Sequence, residues 1–281
     1  MNQGKLKDLS LKLVIILMFL LFMSSFSETI FAREGNSEYR LNKIYLKNFK
    51  NDFVSICTSP AKWKKKDYLV LSAVLGTGAL LYVFDKDIYS WLQEKKNPSS
   101  EDFSNIISNF GNGLFLGGMI ASLYSIGELS NKPSLRKTAL LSMESWLTSG
   151  AIVLSLKFLL GRARPYTRKG STEFQPFSSG SSHYSLPSGH ATSAFAVASV
   201  IAGQSDSKFV DILVYSLASM AAVSRVHDRK HWSSDVFIGS VLGYAVGKAI
   251  CRLNSSRVKN RLKVGLQLSP YHQGITISYQ F

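Results

Sequence analysis

From Tyr68 onward the chain alternates long apolar runs with short charged segments, and this rhythm limits the fold more than any other feature. "YLVLSAVLGTGALLYVF" (Tyr68 to Phe84) and "GLFLGGMIASLYSIG" (Gly113 to Gly127) carry no charge, and Thr138 to Leu160 carries only Glu144 and Lys157. Three further runs follow, Ala191 to Gly203, Val210 to Val223 and Val236 to Ile250, rich in the small residues that let helices approach closely. Runs of this length are helical rather than extended. The predicted fold class is therefore all-α, a bundle of about six helices. The runs fall at or below the roughly 20 residues needed to cross a hydrocarbon layer. That length fits spans with short polar ends and also buried helices of a soluble domain; the membrane-embedded bundle is the reading adopted.

The C-terminus changes period. "LKVGLQLS" (Leu262 to Ser269) and "GITISYQF" (Gly274 to Phe281) alternate apolar and polar residues around a "PYHQ" turn, which predicts an appended β-hairpin. At the other end, Lys5, Lys7 and Lys12 precede "LVIILMFLLFM" (Leu13 to Met23) and a small-residue stretch, the pattern of a secretory signal peptide or an uncleaved signal anchor. The expected organisation is 1–32 signal, 33–66 amphipathic segment, 67–255 helical core and 256–281 hairpin.

Net charge is +15, and the basic residues sit between apolar runs, as juxtamembrane clusters do. They do not form one stripe with interleaved aromatics, so nucleic acid is not an expected partner, whereas a membrane surface or a phosphorylated substrate is. "AKWKKK", "NKPSLRK" and "CRLNSSRVKNRLK" share one side of a six-crossing bundle, which the positive-inside rule makes the cytosolic side. A cleaved signal would put that side outside. The two readings conflict, so either the first run is not a cleaved signal or not all six helices cross. Cys57 and Cys251 form neither a disulfide framework nor a metal pattern, and no bridge between them is expected.

Three segments carry candidate chemistry. Lys157 and Arg164 in "KFLLGRARP" are seven residues apart, near one face if the helix continues to Arg164, where Pro165 is expected to end it. A cation in an apolar run calls for an anion or water, although a snorkelling lysine also satisfies the pattern. In "HYSLPSGHATSAFA", Pro187-Ser188-Gly189 reads as a turn ahead of an Ala-rich helix. The helix N-terminus suits an anion and His190 would stand there with a proton to give; a plain Ser188 N-cap with a surface histidine explains it as well. In "SRVHDRKHWSSD" (Ser224 to Asp235), His227, His231 and Asp235 recur every four residues, which on one helix would align three metal ligands. Arg225, Arg229 and Lys230 oppose a divalent cation and favour an anion. An imidazole beside arginines, with a carboxylate four residues on, suits a nucleophile attacking phosphorus; a solvated charged loop is the plainer alternative.

Taken together, K-x6-R-P at Lys157, Arg164 and Pro165, P-S-G-H at Pro187 to His190, and S-R-x5-H-x3-D at Ser224, Arg225, His231 and Asp235 resemble the three-part signature of the type 2 phosphatidic acid phosphatase superfamily. Order and internal spacings match over Asp67 to Cys251. The resemblance implies a metal-free, cofactor-free phosphoryl transfer. His231 would attack phosphorus, Asp235 would orient it, and His190 would protonate the leaving oxygen and then activate water. Lys157, Arg164 and Arg225, with Ser188 and the Gly189 amide, would hold the phosphoryl oxygens; His227 falls on a variable position and receives no role. The expected activity is hydrolysis of lipid phosphates or pyrophosphates at a bacterial cell envelope, with the site facing the periplasm. The same signature also serves soluble acid phosphatases acting on small phosphomonoesters and vanadate-dependent haloperoxidases. A non-enzymatic envelope protein is the binding-class rival.

Overall fold

The computed structural model describes residues 39–269 and 272–279, with side chains to residue 257. The signal-like segment lies outside the described residues. Among the described residues there are nine α-helices rather than about six: α1 (Lys43–Thr58), α2 (Lys65–Val83), α3 (Asp85–Glu94), α4 (Pro98–Ile107), α5 (Gly113–Leu129), α6 (Pro133–Leu160), α7 (Gly189–Gln204), α8 (Lys208–His227) and α9 (Ser233–Arg261). The additional three, α1, α3 and α4, come from polar stretches whose apolar residues are too sparse to stand out as runs. Asn97 caps α4, accepting from the Ser100 amide at 2.9 Å with Pro98 in the first turn, an arrangement that starts a helix even where few residues are apolar.

The core lies around α7, which packs against α6, α8 and α9. Leu116, Ile120 and Leu123 of α5, Leu135 and Ala139 of α6, Ala194, Val197 and Ile201 of α7, and Val210 and Val214 of α8 form its largest apolar cluster. The α7–α9 contact is closer still, because Gly239, Gly243 and Gly247 line one face of α9. A Cβ on Gly239 would lie 2.6 Å from the Ser188 carbonyl oxygen, one on Gly243 would run into the Thr192 carbonyl, and one on Gly247 would lie 2.7 Å from that of Ala196. Backbone therefore meets backbone, the packing mode that small residues allow between helices in lipid.

Among the described residues, four helices are long and apolar enough to cross a membrane (Lys65–Val83, Pro133–Leu160, Lys208–His227 and Ser233–Arg257). A fifth span arises if Pro98–Gly111 and Gly113–Leu129, bent by 54°, count as one. On α2, Leu69, Val70, Leu75, Leu80 and Val83 are exposed, a surface suited to lipid and costly in water. α1 is tied to the bundle by Asp52, which takes a two-pronged ion pair from Arg257 at 2.6 and 2.7 Å, and by Tyr45, whose hydroxyl donates to the Leu140 carbonyl at 3.1 Å.

Two expectations change. α6 ends at Leu160 and not at Arg164, because Gly161 adopts a left-handed conformation (φ 60°) and its N–H closes on the Lys157 carbonyl at 2.9 Å. The chain then doubles back, with the Gln175 N–H donating to the Gly161 carbonyl at 2.7 Å. The appended C-terminal β-hairpin is not supported as part of the fold, which is helical where it carries the site, although the backbone of Leu262–Ser269 runs antiparallel to His272–Tyr279. Cys57 is exposed and Cys251 buried, and both are free thiols.

Candidate active site

Four helix ends meet at one end of the bundle: the C-termini of α6 and α8 and the N-termini of α7 and α9. Each contributes a residue singled out by the sequence. Lys157, in the last turn of α6, is buried, and its Nζ donates to the carbonyls of Tyr184 and Ser185. A Cβ on Gly189 would lie 3.9 Å from its Cε, so Lys157 reaches the start of α7. Arg164 lies beyond the helix in extended backbone, pinned by its N–H to the Ser182 carbonyl at 2.9 Å. Arg225, in the last turn of α8, pairs with Asp228 at 3.1 Å. The Nε atoms of Arg164 and Arg225 are buried with no hydrogen-bond partner. Two guanidinium donors kept from water and left unsatisfied are costly unless an anion completes them.

Ser188 caps α7, and its own N–H donates to the Asp235 carbonyl at 2.9 Å, which ties the start of α7 to that of α9. His190 follows in the first turn of α7. A tight turn closes α8: the amides of Lys230 and His231 donate to the Arg225 carbonyl at 3.0 and 3.2 Å, and Arg229 takes a positive φ of 59°. That turn swings His231 inward, where it is 3% exposed with its Nδ1 3.8 Å from Asp235 Oδ2. The separation exceeds hydrogen-bond reach.

The local field explains the protonation states. Burial, with Lys157 and Arg164 nearby, pushes the His231 imidazole down to about 3 against the opposing pull of Asp235. His190, in a helix that is not among the candidate spans, is lowered to about 4 by burial and by Arg225, Arg164 and Lys157, with Asp228 opposing. Both shifts favour the neutral imidazole at pH 7. The arrangement therefore offers two uncharged imidazoles inside a cationic cradle, a setting in which a bound oxyanion would be stabilised and would return basicity to both rings.

The structure brings together Lys157, Arg164, Arg225, Ser188, Gly189, His190, His231 and Asp235. It does not bring in His227, whose Nε2 lies 3.0 Å from Ser100 Oγ on α4 and whose Nδ1 lies 3.3 Å from Asp228. The turn between α8 and α9 breaks the four-residue periodicity, so His227, His231 and Asp235 do not form a common metal site, and no three such side chains cluster as one among the described residues. Residues that the sequence reading missed surround Asp235: Ser185 and Arg162 donate to its carboxylate, and Asp85 holds Arg162 in turn at 2.7 Å. The available signals were slight, a second arginine in "GRARP" and an aspartate ending the uncharged run at Phe84.

The PAP2 superfamily model matches residues 138–259, the segment that holds all eight of these converging residues. That segment, somewhat under half of the chain, is similar to the PAP2 superfamily. The chain is 33% identical over 101 residues to a lipid A 1-phosphatase of Porphyromonas gingivalis. That match covers 35% of this chain and 20% of the relative, so the chain spans about a fifth of the length of the curated protein it matches. A PAP2-type phosphatidylglycerolphosphate phosphatase from Bacillus subtilis, solved as a transmembrane protein, shares the fold at a TM-score of 0.52 with 21% identity, covering 66% of this chain and 96% of that one. Aquifex aeolicus LpxE aligns at a TM-score of 0.49 with 18% identity, over 60% of this chain and 95% of its own. The apolar helices fit a membrane protein.

Proposed function

We propose that this protein is a metal-independent phosphatase acting on lipid phosphates or pyrophosphates within a membrane. The observation that carries the proposal is the cluster of three cations and two neutral imidazoles gathered at the helix ends of a bundle that exposes apolar side chains along α2 and α8. A phosphoryl group would satisfy the Nε donors of Arg164 and Arg225, and an acyl or prenyl chain suits the exposed apolar side chains. The lipid A 1-phosphatase relative and the phosphatase fold neighbour support this substrate class.

In the proposed mechanism Asp235 faces Nδ1 of His231, which leaves Nε2 to attack phosphorus. A P–N bond forms, the P–O bond to the lipid breaks, and the leaving oxygen takes a proton from His190. Water then attacks the phosphohistidine while His190 takes its proton, and inorganic phosphate departs with His231 restored. Lys157, Arg164 and Arg225 hold the equatorial oxygens, with Ser188 and the Gly189 amide as further donors, where preorganised charge is worth most. Residues 67–255 are the proposed catalytic unit.

A panel of lipid and soluble phosphates, assayed across pH with and without chelator, tests this. Because His190 is neutral near pH 7 in the free protein, its proton must arrive with the substrate monoanion. The value of kcat/KM should fall only as pH drops through about 4. On the alkaline side it should fall roughly tenfold per unit above the second phosphate ionisation near pH 6. Turnover confined to small soluble esters, metal dependence, or an acid limb at the ordinary histidine value would each contradict the proposal.

The site is proposed to face outward, toward the periplasm of a bacterial envelope. Lys62 to Lys66 precede α2, Lys132 to Lys137 begin α6, and Arg252 and Arg257 end α9, so these clusters share the end opposite the site. The positive-inside rule puts that end in the cytosol. Cys57, exposed at the basic end, should react with an impermeant maleimide only after cells are permeabilised; labelling of intact cells would reverse the orientation.

A further inference from the structure

Two residues before Arg164, the side chain of Arg162 lies under the site and is completely buried. Its donors are all taken. Nε and Nη2 donate to the Ser171 carbonyl at 3.0 and 2.8 Å, Nη1 to Ser234 Oγ at 2.8 Å and to Asp235 Oδ1 at 2.6 Å, and Nη2 to Asp85 Oδ2 at 2.7 Å. A guanidinium has five N–H groups, so none is left for a substrate. Its faces are enclosed by aromatic rings, with the Tyr82 centroid at 4.7 Å and those of Phe174 and Trp232 at 5.7 Å.

Asp85 is equally fixed. It accepts from Arg162, from the Ser233 hydroxyl, and from the Ser234 amide and hydroxyl at 2.9 and 2.6 Å, which locks the start of α9. Asp235 carries Arg162 on Oδ1, while Oδ2 accepts from Ser185 and from the Trp232 amide at 2.9 Å and faces His231. Two buried carboxylates thus share one buried guanidinium. Removing that guanidinium would leave both negative charges without a counter-ion, a state that buried ions do not tolerate.

We propose that Arg162, anchored by Asp85, is a positioning residue that holds the Asp235 carboxylate charged and aimed at His231. The proposal rests on the roles given above to His231 and Asp235, and it predicts a defect in turnover without a defect in substrate binding. The test is a double-mutant cycle of Arg162→Gln with Asp235→Asn, reading kcat, KM and melting temperature on purified protein. Arg162→Gln should lower kcat on the order of 100-fold while KM stays within about threefold. In the Asp235→Asn background the same change should cost no more than about threefold, because Arg162 acts through that carboxylate. Arg162→Lys, which keeps the charge and loses the fork, should recover about tenfold of the loss.

If Arg162→Gln does not accumulate in folded form, Arg162→Lys takes its place in the cycle, with about a tenfold loss expected in the wild-type background and none beside Asp235→Asn. A folded Arg162 variant with wild-type kcat, a rise in KM in place of the fall in kcat, or losses that multiply in the double variant would overturn the assignment. A wild-type protein inactive on every phosphate would instead sink the phosphatase reading and this inference with it.

Discussion

His231→Ala is expected to remove hydrolysis altogether, to the limit of a loss of about 10⁴-fold or more, while His227→Ala keeps activity within about threefold. The contrast is sharp because the two imidazoles are four residues apart in sequence and differ only in where the turn after α8 sends them. His231 is turned into the pocket toward Asp235, whereas His227 is held by Ser100 and Asp228 on the α4 side. Removing a nucleophile takes away the covalent step, and what remains is the binding contributed by the cationic cradle. Incorporation of labelled phosphate from substrate should disappear in the same variant. An active His231→Ala protein would end the proposed mechanism. An essential His227 together with inhibition by chelator would favour metal chemistry instead.

A second large effect is expected far from any charge. Gly243→Leu should leave little folded protein. A Cβ alone on Gly243 runs into the Thr192 carbonyl and lies 2.9 Å from the Ala196 amide nitrogen, so even Gly243→Ala must push α7 and α9 apart, at a cost on the order of 1–3 kcal/mol. A leucine adds three more carbons to that overlap and exceeds the marginal stability of an ordinary fold. Activity should fall with folding, because these two helices bring His190 and Asp235 to the same place. Gly118→Ala is the control, since nothing lies within 4 Å of its added carbon. Thermal melting in detergent reads the difference. A Gly243→Leu protein that melts within a few degrees of wild type would show that the close crossing is dispensable.

What could be read from the sequence follows physical lines. The apolar runs gave the bundle because burial and lipid contact both demand uncharged length, and the motif residues gave most of the pocket because their spacing reflects helix ends. Arg162 escaped notice because Pro165 drew attention to the wrong helix end. The actual stop at Gly161 depends on a left-handed residue packed under the Gln175 carbonyl, a tertiary contact. Asp85 was hidden for a related reason. Its importance comes from Arg162, Ser233 and Ser234, which are 77 to 149 residues away in sequence. α3 and α4 were missed because a short polar helix packed beside a bundle needs few apolar residues of its own. The direction of the imidazole shifts could not be read either, since it depends on which cations end up around each ring.

The order in which the pocket's parts leave the ribosome has a biological consequence. Lys157 and Arg164 are made early and His190 next, but His231 and Asp235 come with the last helix, α9. Arg257, near the far end of that helix, closes onto Asp52 in α1, 205 residues earlier. A chain still being synthesised therefore holds Lys157, Arg164 and Arg225 before it holds the proposed nucleophile His231 and its carboxylate neighbour Asp235. On the proposed mechanism, hydrolysis would start only when α9 is seated, and a product lacking that helix would bind anions at most.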